Sequence, residues 1–225
     1  MRIIVAVTGA SGVEMSYRLL KALRSAGPIG DNAVVSNKNA SIASSANVNA
    51  NAYANNASAA YKESAVEIHL ILSRGARLTW GYECDFPIED LIGLADFVYE
   101  EDDLAARISS GSFVTDGMIV MPCSMKTLAG IVTGYAENLI NRAADVCLKE
   151  GRKVVLVPRE MPLSRIHLRN MHEAADLGMA IVPPMLTFYN GERTMEGQID
   201  HVVGKVLMQF GLTFDNFKPW NGPEE

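Results

Sequence analysis

The chain has 225 residues, of which 48% are hydrophobic and 20% charged, values that suit a good buried core in one globular unit. A net charge of −6 with no long basic run argues against a broad electrostatic footprint for nucleic acid, while local cations could still hold an anion. Three scattered cysteines (Cys84, Cys123, Cys147) make neither a disulfide framework nor a zinc pattern, and no run of 18 apolar residues appears, so a soluble cytoplasmic protein is expected.

Arg2–Val7 is a β-branched apolar run of the kind found in a central parallel strand. Thr8-Gly9-Ala10-Ser11-Gly12 follows, then helical spacing over Val13–Leu23, with Ser11 placed to cap that helix or to bond a phosphate. The turn is not G-x-G-x-x-G and lacks a well-placed acidic ribose partner, so a mononucleotide or flavin phosphate fits better than NAD. Pro28–Ala65, rich in Asn, Ala and Ser, reads as a long, mobile or weakly helical insertion. Joining the first helix to the second strand, it belongs at the end of the sheet away from the strand C-termini.

Val66–Ser73 is a second strand, Ala76–Glu83 can be helical, and Pro87 opens a short helix through Leu94. Phe97–Tyr99 reads as a short strand and Ser109–Thr115 as loop. The central stretch is Thr115–Leu128 (TDGMIVMPCSMKTL): a strand over Gly117–Met121, a turn at Pro122-Cys123-Ser124, then a helix ending near Val132. Its hydroxyls (Ser124, Thr127), its cation (Lys126) and the helix N–H groups suit a phosphate, although alone it reads equally as an ordinary N-capped βα turn. The similar turn at Gly9–Gly12 favours the anion.

Ala136–Glu150 is a longer helix, Lys153–Val157 a strand, Ser164–Leu177 a helix capped by Ser164, and Ala180–Val182 the last strand. Met195–Phe210 closes the chain as an amphipathic helix, followed by a tail containing Trp220. The alternation predicts an α/β fold with a doubly wound, mostly parallel sheet and a single domain over 1–225, interrupted at about 28–65. Its strand ends bring Gly9–Gly12, Ser73, Ser124–Thr127 and Arg159-Glu160 to one crevice. Glu160 is the best acid–base candidate there, and a solvated ion pair with Arg159 is the competing reading. Cys123 reads as a small buried hydrophobe rather than a nucleophile, and His69, His167, His172 and His201 show no metal-ligand spacing.

TGASG, SFVTDGMIVMPCSMKTLAGI, NLINRAADVCLKE, VPREMPLSRIHLRNM and the final FY followed by GKVL resemble the UbiX family of flavin prenyltransferases, which includes the small proteins historically assigned to phenolic-acid decarboxylase systems. The resemblance covers nearly the whole chain outside Pro28–Ala65. It implies a Rossmann-like, flavodoxin-type protein that joins dimethylallyl phosphate to reduced FMN without a metal, adding a ring across N5 and C6. The product, prenylated FMN, would serve a UbiD-type decarboxylase. By similarity Gly9, Ala10, Ser11, Ser73, Ser124, Met125, Lys126, Thr127 and Arg159 would hold FMN. Arg142, Lys149, Tyr189 and Lys205 would hold the prenyl phosphate, and Trp220 would help close the pocket. Glu160, once buried beside the site, would protonate the leaving phosphate, with Ser11 and Glu83 near the reacting flavin edge. Members assemble as homo-oligomers, commonly dodecamers, with sites shared between protomers.

Two features depart from that pattern. The loop before Tyr189 lacks the later proline usual before the FY pair, and position 205 is lysine where arginine is frequent, which loses the bidentate fork. The competing functions are an FMN-dependent cysteine decarboxylase, whose PASANT-like and PxMNxxMW blocks are missing here, and a non-catalytic flavin-binding subunit of a decarboxylase.

Overall fold

The computed structural model describes residues 1–29, 66–220 and 222. Six strands make one fully parallel sheet: β1 (Arg2–Val7), β3 (Glu67–Leu72), β4 (Phe97–Glu100), β5 (Gly117–Cys123), β6 (Lys153–Pro158) and β7 (Ala180–Ile181). Their spatial order is β4-β3-β1-β5-β6-β7. The chain first builds outward from β1 to β4, then returns to the other side of β1 with β5. The direction of winding therefore reverses between β1 and β5, and the crevice beyond their carboxyl ends is where such sheets bind ligands.

Side-chain alternation sorts the core into two layers. Ile3, Val5, Val7, Ile68, Leu70, Leu72, Ile119 and Met121 face α1 (Glu14–Ser25), α2 (Arg74–Glu83), α3 (Ile88–Ile92) and α7 (Met195–Met208). Ile4, Ala6, Ile71, Met118, Val120 and Leu156 face α4 (Met125–Val132), α5 (Leu139–Lys149) and α6 (Arg165–Asp176). Burial on both faces is why the central strands are uninterrupted apolar runs. β1 and β5 consequently hold their end loops on a rigid base. Ser164 caps α6 as read from the sequence, and His167 completes a reciprocal capping box.

Three differences from the sequence reading go beyond small shifts at element ends. β5 continues through Pro122 to Cys123, with a register irregularity between Val120 and Cys123, so the turn begins two residues later, at Ser124. A short 3-10 turn, Arg107–Ser109, overlaps the start of the expected loop. Gly27–Pro28 (β2) pairs antiparallel with Leu212–Thr213 (β8), a two-residue ribbon that tertiary contact creates without any periodic signal. Most of the Asn/Ala/Ser-rich stretch, residues 30–65, lies outside the described residues. Its flanks, β2 and the start of β3, sit at the strand N-terminal end, opposite the crevice.

At that far end His69 is fully buried. Its ring stacks on Phe97 at 4.7 Å, with Nε2 2.7 Å from Glu67 Oε1 and Nδ1 2.9 Å from the Tyr99 hydroxyl. Burial lowers the His69 pKa against the opposing pull of Glu67, and the hydrogen bond from Arg2 lowers Glu67 to about 2. Both shifts have one sign. The unfolded chain binds more protons below the ordinary histidine value of 6.5, and again between 4.5 and about 2. Urea midpoints should therefore fall as pH drops from 7 to 5, and His69→Phe should flatten that slope; an undiminished slope in the variant assigns it to other groups.

Candidate active site

The loops at the switch point are sewn together by hydroxyls. Thr8, almost fully buried, donates its hydroxyl to the Pro122 carbonyl at 2.8 Å and accepts the Ser124 N–H at 2.9 Å. This joins the end of β1 to the start of α4. Gly9 lies against the first turn of α2 so closely that a Cβ there would come within 2.9 Å of the Gly75 backbone. Ser73 caps α2 by accepting the Ala76 N–H at 2.9 Å, and Thr79 of α2 donates to the Gly9 carbonyl at 3.1 Å. Three expected cofactor loops thus form one continuous backbone surface.

The two helix ends at this surface differ. The N-terminus of α1 is not capped by Ser11, one of the two roles open to it from the sequence. Its N-cap is Val13, which makes no side-chain bond. The Glu83 carboxylate, brought in from the end of α2, instead accepts the Gly12 N–H at 2.7 Å and the Val13 N–H at 3.2 Å. Burial would raise the Glu83 pKa, but hydrogen bonds from Ser11, Gly12 and Val13 and the charge of Arg159 hold it below the ordinary value. A carboxylate already answers the dipole of α1.

At α4 the Ser124 hydroxyl accepts the Thr127 N–H at 3.2 Å and lies 3.0 Å from the Thr127 hydroxyl. Met125 and Lys126 open the helix, so their N–H groups have no intrahelical acceptor. This is the end suited to a phosphate, with Lys126 exposed beside it. Arg159 follows β6, anchored by its N–H to the Cys123 carbonyl at 3.1 Å. Its Nε is buried without a hydrogen-bond partner among the described residues. A buried guanidinium N–H left unpaired is costly, and an acceptor oxygen of a bound flavin phosphate or ring carbonyl would relieve it. The hydroxyls, the open helix end, the close backbone approach and this orphaned donor together fit FMN.

Glu160 is adjacent but exposed, its carboxylate accepting the Met161 N–H at 3.0 Å. The burial expected for it is missing within one chain, because none of the described residues packs over the loop after β6 closely enough to cover it. Tyr189 lies in the loop after β7, at the same end of the sheet. Gln198 of α7 steadies this loop, accepting the Thr187 N–H at 2.8 Å and donating to the Thr187 and Glu192 carbonyls. Trp220 reaches the Tyr189 ring edge-on at 5.7 Å, and Lys205 lies over Phe217 at 5.8 Å.

Arg142 and Lys149 stay apart from this group. Arg142 pairs with Asp145 and donates to the Ser109 carbonyl, while Lys149 pairs with Glu150 at the last turn of α5, just before β6 begins at the strand N-terminal end. The sequence reading missed Thr8, Gln198 and His201. The last two had a signal: with Lys205 they fall at i, i+3 and i+7 on one face of α7.

A family model described as Flavoprotein matches residues 1–211. A probable UbiX-like flavin prenyltransferase of Sedimentibacter hydroxybenzoicus is 52% identical over all of both chains. Among solved structures, a dodecameric FMN-dependent UbiX-like decarboxylase from Escherichia coli O157:H7 superposes with a TM-score of 0.80 at 45% identity, covering 99% of this chain and 100% of that one. AnUbiX (PadA1), in complex with FMN and dimethylallyl pyrophosphate, gives 0.80 at 42% identity, covering 99% of this chain and 98% of that one. The two expected loops, the crevice between β1 and β5 and these likenesses converge, and the chain belongs to the flavoprotein family, among the UbiX-like flavin prenyltransferases.

Proposed function

We propose that this protein transfers the dimethylallyl group of dimethylallyl phosphate to reduced FMN, giving prenylated FMN for a UbiD-type decarboxylase. The observation that carries the reading is Arg159, whose buried, unpaired Nε sits where β6 ends beside an open helix terminus and the Ser11–Glu83 pair. Reduced FMN, once held there, would supply the electron pair for the new bond to the allyl carbon. The protein's part is to hold the two reactants in contact and to accept the charge released when the allylic C–O bond breaks. Ser73, Ser124, Met125, Lys126, Thr127 and Arg159 anchor the cofactor, with Gly9 and Ala10 giving it close backbone approach. Tyr189 and Lys205 bind the donor phosphate, and Glu160 protonates it as it leaves. Trp220 covers the allyl group with its ring.

Arg142 and Lys149 join this site only from a second copy. The face they would meet is unusually apolar. Met161 is 84% exposed, Phe188 73%, and Met185, Leu186 and Ile166 project beside the ends of β6 and β7 or along α6. Patches of this kind mark interfaces. A homo-oligomer that covers them would bury Glu160 and complete the phosphate site. Among the described residues no helix is long and apolar enough to cross a membrane.

The test is mass spectrometry of flavin released after anaerobic incubation with reduced FMN and either dimethylallyl monophosphate or diphosphate. A gain of one C5 unit is expected, and the arm in which it appears names the donor. Unmodified flavin in both arms overturns the reading.

A further inference from the structure

His201 is buried on α7, 6% exposed, and its Nε2 stands 3.2 Å from the Tyr189 hydroxyl. The Tyr189 ring meets it edge-on at 5.6 Å, and Phe217 closes its other side at 5.6 Å. Its Nδ1 is buried with no hydrogen-bond partner among the described residues. Burial, reinforced by Lys205 one turn further on, lowers the pKa of the ring, so it is neutral at pH 7. A neutral imidazole carries one proton, and the surroundings decide where. A proton on Nδ1 would leave a buried N–H donor unpaired and would also consume the phenol hydrogen in a bond to Nε2. A proton on Nε2 leaves only an unprotonated lone pair at Nδ1, the cheaper defect, since orphaned N–H groups are the rarer kind.

We propose that His201 is a positioning residue: its Nε2–H donates to the Tyr189 phenol oxygen and so turns the phenol O–H outward to the phosphate of the allyl donor. This rests on Tyr189 being a phosphate ligand of a flavin prenyltransferase. It explains why the histidine is held between Tyr189 and Phe217, and why Gln198, on the same helix face, fixes the backbone before Tyr189. The loop and the phenol rotor are set by one helix.

The test is steady-state prenylation by the full chain, with dimethylallyl phosphate varied at saturating reduced FMN. His201→Phe keeps an aromatic ring against Phe217 but removes the donor. It should raise the KM for the allyl phosphate about tenfold, the size of one hydrogen bond to an anion-binding group, while leaving FMN affinity unchanged. His201→Gln, which can place an amide N–H near the Nε2 position, should recover most of the loss, and His201→Asn should not. Tyr189→Phe combined with His201→Phe should be no worse than Tyr189→Phe alone. An unchanged KM in His201→Phe, or losses that multiply in the double variant, overturns the role. Should His201→Phe fail to fold, the Gln and Asn variants decide: equal KM values overturn the role, and rescue by Gln alone sustains it. A wild type that yields no prenylated flavin overturns the function itself, and this role with it.

Discussion

Glu160→Gln should leave FMN bound and slow prenylation by roughly 10²- to 10⁴-fold, the range a general acid supplies. Glutamine can still accept the Met161 N–H that orients the carboxylate, and Arg159 keeps its backbone bond to Cys123, so the loop after β6 holds its shape. What should disappear is the proton proposed for the departing phosphate. A carboxylic acid open to water gains little over water itself. The exposure of Glu160 in one protomer thus makes the size of the effect depend on assembly: full in the oligomer, small in a dissociated protomer. Single-turnover rates of both forms, with flavin binding followed by fluorescence, check this. Equal turnover for wild type and Glu160→Gln in the oligomer removes the acid from the mechanism.

How much of the molecule is legible in its sequence follows from the range of each interaction. The strands are, because burial on both faces forces apolar runs such as Ile3–Val7 that no loop would carry. Ser124 and Ser164 are legible as caps because a cap is a contact over three residues, while Ser73, read as the end of a strand, turns out to cap α2 by the same kind of contact. That Ser11 does not take the cap, one of the two roles open to it, is illegible for the converse reason. The group that answers the α1 terminus is Glu83, about 70 residues away, and only the tertiary fold brings the end of α2 there. The β2–β8 ribbon and the Thr8 bridge to Ser124 are equally long-range. His201 is hidden from a search for metal-ligand spacing, which passes over a histidine whose partner is a phenol in the preceding loop. Arg142 and Lys149 can be read from the motif that contains them, but in one protomer their partners are Asp145 and Glu150 and neither reaches the crevice.

Gly204→Ala should destabilise the protein, against the rule that alanine in a helix interior is better than glycine by about 1 kcal/mol. Gly204 lies in the middle of α7, where a Cβ would come within 1.9 Å of Phe217 Cδ2 and 2.2 Å of its Cγ. A clash that deep with a ring cannot be relieved by a rotamer, so Phe217 must leave. Phe217 is 7% exposed, and expelling it forfeits about 1.5–3 kcal/mol of burial. The net loss should be about 0.5–2 kcal/mol, seen as a lower urea midpoint. The functional consequence is larger than the stability change. Phe217 flanks His201, and Asn216 beside it donates to Asp200 at 3.0 Å, while Asp200 is itself paired with Arg18 of α1. These contacts hold the tail that brings Trp220 to Tyr189. In Gly204→Ala the tail should become sensitive to protease and the KM for the allyl phosphate should rise, with flavin affinity little changed. The decisive control is Phe217→Ala. In that background the added methyl meets no ring, so helix propensity alone should act and Gly204→Ala should become stabilising. If the substitution keeps its sign when the ring is gone, Phe217 is not what makes residue 204 a glycine.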